Sequence, residues 1–147
     1  MSNSVFEIAQ ESARRLRSVY TEYAKGPVDE GMRQFLRSMA EQEASHLRFL
    51  QEKLSSLSHD AELKAKAEDV SASMNELPPE KEVKSLSRID FFAHVLELEE
   101  WTMKMYRHIS ESCGERNEMA DFFHSLYEEE RRHHSLVKDR YELESLL

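Results

Sequence analysis

Two short segments carry the side chains best suited to chemistry. Glu43-Ala44-Ser45-His46 and Glu130-Arg131-Arg132-His133 each set a carboxylate and an imidazole three residues apart, and 130 − 43 and 133 − 46 are both 87. Residues three apart on a helix share a face, so each pair can grip one cation. Glu43 stands in an apolar stripe formed by Leu36, Met39, Ala40, Leu47 and Leu50, and Glu130 in one formed by Phe123, Leu126, Tyr127 and Val137. A carboxylate buried alone costs several kcal/mol, and two facing each other repel and drive protonation. Divalent cations remove both penalties. Carboxylates mixed with imidazoles suit iron, manganese or zinc better than calcium or magnesium. A third carboxylate is expected from the segment around residue 99. Glu99 has Phe92, Val95 and Leu96 before it and Thr102 and Tyr106 after it, whereas Glu97 and Glu100 have mostly polar neighbours and read as solvated.

These residues need long helices to position them, and the composition supplies little else. The chain has 147 residues with only 3 Gly and 3 Pro, too few turn formers for a β-rich fold, so an all-α class and a single domain over residues 1–147 are expected. Helix 1 is predicted over about Val5–Lys25, with Ser4 and Glu7 as a capping box and Gly26-Pro27 as the stop. Helix 2 runs from about Asp29, a candidate N-cap, to Leu57. Helix 3 begins at Ser87, which can cap the N–H of Asp90, and ends at Gly114; helix 4 spans about Asn117–Leu143. Hairpin 1 therefore covers about residues 4–57 and hairpin 2 about 87–144. The polar stretch at about 58–86, with a candidate short helix at Ala61–Val70 and the breaker Pro78-Pro79, is long enough to run the length of a bundle and set helix 3 parallel to helix 2.

The hairpins are themselves related. Helices 2 and 4 match at an offset of 87, pairing Phe35 with Phe122 and Leu50 with Val137, while helices 1 and 3 match at 86, pairing Phe6 with Phe92 and Tyr20 with Tyr106. An internal duplication of a helical hairpin implies a pseudo-two-fold site.

With both Glu-x-x-His pairs, and with Glu99 seven residues before Tyr106, the chain resembles the rubrerythrin family of ferritin-like diiron proteins over all four helices. The resemblance implies a ferritin-like four-helix bundle in which Glu43 and Glu130 bridge two metals, His46 binds one of them, and Glu99 with His133 serves the other. It departs from the family at helix 1, where the pattern places a glutamate seven residues before the tyrosine and this chain has Ala13 before Tyr20. The nearest helix-1 carboxylate, Glu11, lies roughly 160° away around the helix and reaches inward only through a register shift or a π-bulge. It stands as the sixth candidate ligand.

What the resemblance implies about function is an oxidoreductase holding two iron ions, or one, with manganese or zinc as substitutes. It would act on peroxide or dioxygen, or oxidise ferrous iron. No cysteine-rich rubredoxin module is present, so a separate electron-donor protein is expected. The rival expectation is a non-catalytic bundle, metal-binding or metal-free, serving as scaffold or sensor. A formal net charge of −9 argues against nucleic acid as a partner. No apolar run approaches the ~20 residues that span a bilayer, and the first residues lack a signal-peptide pattern. Cys113 is the single cysteine, which together with those features places the expected setting in the cytoplasm. Trp101 falls off the core stripe and marks a candidate homodimer contact. His94 reads as partly exposed, His134 as a neighbour of the site, and Glu128-Glu129 with Arg131-Arg132 as a solvated charge run.

Overall fold

The computed structural model describes residues 5–56, 70, 74–113 and 118–147. Four helices make the architecture: α1 (Val5–Ala24), α2 (Glu30–Ser56), α3 (Arg88–Ser112) and α4 (Glu118–Ser145). A single 3-10 turn, Val83–Ser85, precedes α3. The proposed capping role of Ser4, most of the candidate crossover helix at Ala61–Val70, and the predicted termini at Leu57, Gly114 and Asn117 lie outside the described residues. Within them the helix boundaries fall within two residues of the sequence expectation.

Local chemistry explains where the helices start and stop. Asp29 Oδ1 accepts the Met32 N–H at 2.8 Å, so α2 has the N-cap its sequence called for. Ser87 Oγ accepts the Asp90 N–H at 3.2 Å in the same way for α3. At the end of α1 the Gly26 N–H bonds the Tyr23 carbonyl. The Arg33 guanidinium then reaches back from α2 to the carbonyls of Ala24, Gly26 and Val28, at 3.1, 3.3 and 3.2 Å. A cation thus satisfies carbonyls that the helix end leaves unpaired, and the α1–α2 turn is stapled.

Helix directions follow from cross-helix contacts. Arg88, at the start of α3, bonds Asp29 beside the start of α2 and Glu144 near the end of α4. Lys53, near the end of α2, pairs with Glu118 at the start of α4. Helices α2 and α3 are therefore parallel, each hairpin is antiparallel, and the connection between the hairpins traverses the bundle. This is the crossover arrangement of a ferritin-like four-helix bundle.

The apolar core divides into two clusters. One contains Phe6, Ala9, Leu50, Met105, Tyr106, Phe123 and Leu126; the other contains Leu16, Tyr20, Leu36, Met39, Phe91, Phe92, Leu98 and Val137. Burying each large apolar side chain is worth about 1.5–3 kcal/mol, so both clusters stabilise the bundle. Between them every helix crosses one shared layer: Ser12 and Ala13 on α1, Glu43 and His46 on α2, Glu99 and Thr102 on α3, Glu130 and His133 on α4. All eight are buried.

One expectation at the periphery is corrected. His94 is 3% exposed rather than partly exposed; neither ring nitrogen has a hydrogen-bond partner among the described residues, and burial holds its pKa below the ordinary histidine value. Trp101 is half-buried against the first cluster, and its indole N–H donates to the Asn75 carbonyl at 2.8 Å, so the crossover covers part of its ring.

Candidate metal centre

The layer between the clusters is a knot of acids and imidazoles. Glu43, Glu99 and Glu130 are each 0% exposed, and His46 and His133 are 2% and 1%. One ligand atom from each of Glu43, Glu99, Glu130 and His133 falls in a group whose members all lie within 4.8 Å of one another, a spacing that can hold a metal ion. His46 meets two of the same carboxylates: its Nδ1 is 3.0 Å from Glu130 Oε1 and 3.3 Å from Glu43 Oε1. His133 Nδ1 is 3.3 Å from Glu43 Oε2, 3.5 Å from Glu130 Oε1 and 3.9 Å from Glu99 Oε2. Glu43 and Glu130 are thus shared between two imidazoles whose rings stack nearly parallel, 5.5 Å apart and inclined by 14°.

Hydrogen bonds among these groups leave much unsatisfied. Glu43 Oε1, Glu99 Oε2, both oxygens of Glu130 and His46 Nδ1 have no hydrogen-bond partner among the described residues, although several lie at ion-pair distance. Buried polar atoms in folded proteins are almost always paired, and these five converge on one space, a donor set that could hold a cation.

The electrostatics without metal agree. Burial pushes the Glu99 carboxyl well above the usual carboxylate range, and the neighbouring Glu130 and Glu43 push it further. Burial, then Glu130, also raise Glu43, against the opposing pull of His133 and His46. Glu130 goes the other way: burial opposes its ionisation, but the two imidazoles hold it well below the ordinary value. For His46, burial opposes protonation and is overcome by Glu129, Glu130 and Glu43, which bring it to about 12. His133 is brought to about 9 by Glu130 and Glu43 against the same burial.

Both histidines point Nδ1 at the carboxylates, and their outward Nε2 atoms are held by residues the sequence reading missed. His46 Nε2 donates to Glu129 Oε2 at 2.6 Å, and His133 Nε2 donates to the Gln42 side-chain carbonyl. Gln42 and Glu129 each immediately precede the glutamate of a Glu-x-x-His pair and are 87 residues apart, so the duplication contained the signal. Glu129 is consequently not part of a solvated charge run; its side chain is 39% exposed, and it crosses from α4 to fix a ring on α2. Such partners fix ring orientation and raise ligand basicity.

The structure brings Glu43, His46, Glu99, Glu130 and His133 together and leaves Glu11 out. Helix α1 is α-helical from Val5 to Ala24 with no π-bulge to rotate residue 11 inward. The Glu11 side chain is 52% exposed and pairs with Arg14 at 3.4 Å. The position facing the layer is Ala13, which is 0% exposed. Tyr20 donates its hydroxyl to Glu99 Oε1 at 3.1 Å. His134 is half-buried on the flank of α4.

A four-helix bundle with a crossover between its hairpins and paired Glu-x-x-His side chains in its interior defines a bundle of the ferritin-like class. The sequence model of the rubrerythrin family matches residues 7–141, and the chain belongs to that family. Comparison with curated proteins and with solved structures gave no significant match. Among the described residues no helix is long and apolar enough to cross a membrane.

Proposed function

We propose that the buried cluster is a carboxylate-bridged diiron centre and that the chain is an oxidoreductase reducing peroxide or dioxygen, or oxidising ferrous iron. The supporting observation is the set of orphaned, fully buried carboxylate oxygens between two imidazoles. Glu43 and Glu130 would bridge the ions, His46 would hold one, and His133 with Glu99 the other. A bound diiron pair supplies two-electron redox chemistry at open coordination positions. The chain's own contribution is orientation and exclusion: Glu129 and Gln42 fix the imidazoles, Tyr20 fixes Glu99, and the two apolar clusters keep bulk water from the layer. Electrons would come from a separate donor protein in the cytoplasm.

A second reading is favoured by one observation, the alanine at position 13. With five ligands in place of six, the bundle would hold one ion, or serve as a non-catalytic scaffold or sensor. Iron content and turnover separate the readings. About two irons per chain together with peroxide-dependent oxidation of added ferrous iron supports the enzyme. One iron or none, without peroxide consumption above a heat-denatured control, supports the rival.

A further inference from the structure

The duplication leaves one hydroxyl with nothing to bond. On α3, Glu99 stands seven residues before Tyr106; on α1, Ala13 stands seven before Tyr20. The tyrosine of α1 donates to the glutamate of α3 at 3.1 Å. The mirrored pair is Tyr106 of α3 and residue 13 of α1, and residue 13 has no carboxylate. Tyr106 is 0% exposed, and its hydroxyl has no hydrogen-bond partner among the described residues. Its ring meets that of His46 edge-on, 6.4 Å between centroids, so it borders the His46 side of the layer.

We propose that the position between Ala13 and the Tyr106 hydroxyl binds a small exogenous monoanion of the formate or azide class, which takes the place Glu99 fills at the other end. The inference rests on the reading of the layer as a dinuclear metal centre. Charge supports it: Glu43, Glu99 and Glu130 carry three negative charges, one fewer than two divalent ions require. Glu129 is a fourth acid, but it bonds the outward Nε2 of His46 and does not face the layer itself. Size supports it too, because alanine in place of glutamate lacks a carboxylate and one methylene, four heavy atoms, and formate and azide have three each. The Tyr106 O–H donates to the anion as the Tyr20 O–H donates to Glu99. The two ends of the centre are therefore unequal: the His133 end is closed by the protein's own carboxylate, and the His46 end by an exogenous anion.

The test uses the full chain loaded with cobalt(II), whose visible absorption reports changes in coordination, titrated with sodium formate and separately with sodium azide. The wild-type spectrum is expected to shift saturably. Tyr106→Phe is expected to weaken anion binding at least about tenfold, the loss of one hydrogen bond to a charged group. Ala13→Glu is expected to bind cobalt and show no anion response, because the new side chain occupies the position. If Ala13→Glu does not fold, the Tyr106→Phe comparison decides alone. A wild-type spectrum unmoved by either anion while two cobalt ions are bound means the position holds only a buried water, and overturns this inference but not the metal centre. Equal anion affinity in Tyr106→Phe and wild type also overturns it. Failure of the wild type to bind cobalt overturns both.

Discussion

Replacing Glu99 with glutamine separates the fold from the metal. Without metal, burial together with Glu130 and Glu43 pushes the Glu99 carboxyl well above the usual range, which favours its neutral form. Glutamine has the same shape and no charge, and its side-chain oxygen can still accept the Tyr20 hydroxyl that now bonds Glu99 Oε1. The metal-free variant should therefore melt within about 2 °C of the wild type, a change under ~1 kcal/mol for a chain of this size. Metal binding requires the ionised carboxylate, and there the variant should fail. At a free metal concentration about 100 times the wild-type Kd, binding adds roughly 2.7 kcal/mol of stability, a rise of about 5–11 °C in Tm. Loss of a ligand should weaken affinity by at least about 100-fold, the upper end of what removing a mere outer partner costs. The increment then shrinks to about 0.4 kcal/mol, roughly 1–2 °C. Thermal melts followed by circular dichroism, with and without metal, read both arms, and Glu97→Gln, an exposed neighbour on α3, is the control. A full metal-induced increment in Glu99→Gln would refute the reasoning, as would a metal-free variant destabilised as much as the loaded one.

Three further outcomes follow from the same geometry. In the metal-free protein His46 and His133, brought to about 12 and about 9, carry protons at neutral pH that a metal must displace. Metal uptake should release at least two protons per chain and tighten as pH rises, measurable by calorimetry in buffers of different ionisation enthalpy; uptake without proton release would contradict the imidazole assignment. Glu129→Gln keeps the hydrogen bond to His46 Nε2 and removes its charge, and should weaken cobalt binding about 10-fold to 100-fold, whereas exposed Glu128→Gln should leave competition titrations unchanged. Asp29→Ala should lower the urea midpoint by removing the cap on the Met32 N–H and the Arg88 ion pair. Because those two partners lower the Asp29 pKa, the difference between wild type and variant should be present at neutral pH and vanish as pH falls through the depressed Asp29 value.

How much of this was legible beforehand depended on the kind of signal. Helical period and caps are local, so α1–α4 and the Ser87 and Asp29 caps could be read directly from spacing. The five inward acids and imidazoles were legible because each breaks an apolar stripe, and the repeat at 87 removed most of the ambiguity that one Glu-x-x-His carries. Gln42 and Glu129 were missed because their sites are defined across helices: Glu129 sits beside two other acids and looks solvated until α2 presents His46 to it. Reading the repeat one residue further out would have flagged both. His94 was misread because its neighbours on α3 do not reveal that Arg15 of α1 and Glu80, Lys81 and Glu82 of the connection line the same cleft; Lys81 and Arg15 are among the charges that act on its ring. Glu11 shows the converse. Composition offered it as the missing ligand, and the unbroken α-helical phase of α1 rules out its reaching the layer.

The account turns on cations residing between Glu43 and Glu130. An anomalous difference map at the iron absorption edge, from crystals of the iron-loaded chain, tests that directly. Two adjacent peaks about 3.5–4 Å apart, flanked by His46 on one side and by His133 with Glu99 on the other, are the predicted result. An empty layer in crystals whose iron content is confirmed, or iron bound only to exposed acids, would contradict it.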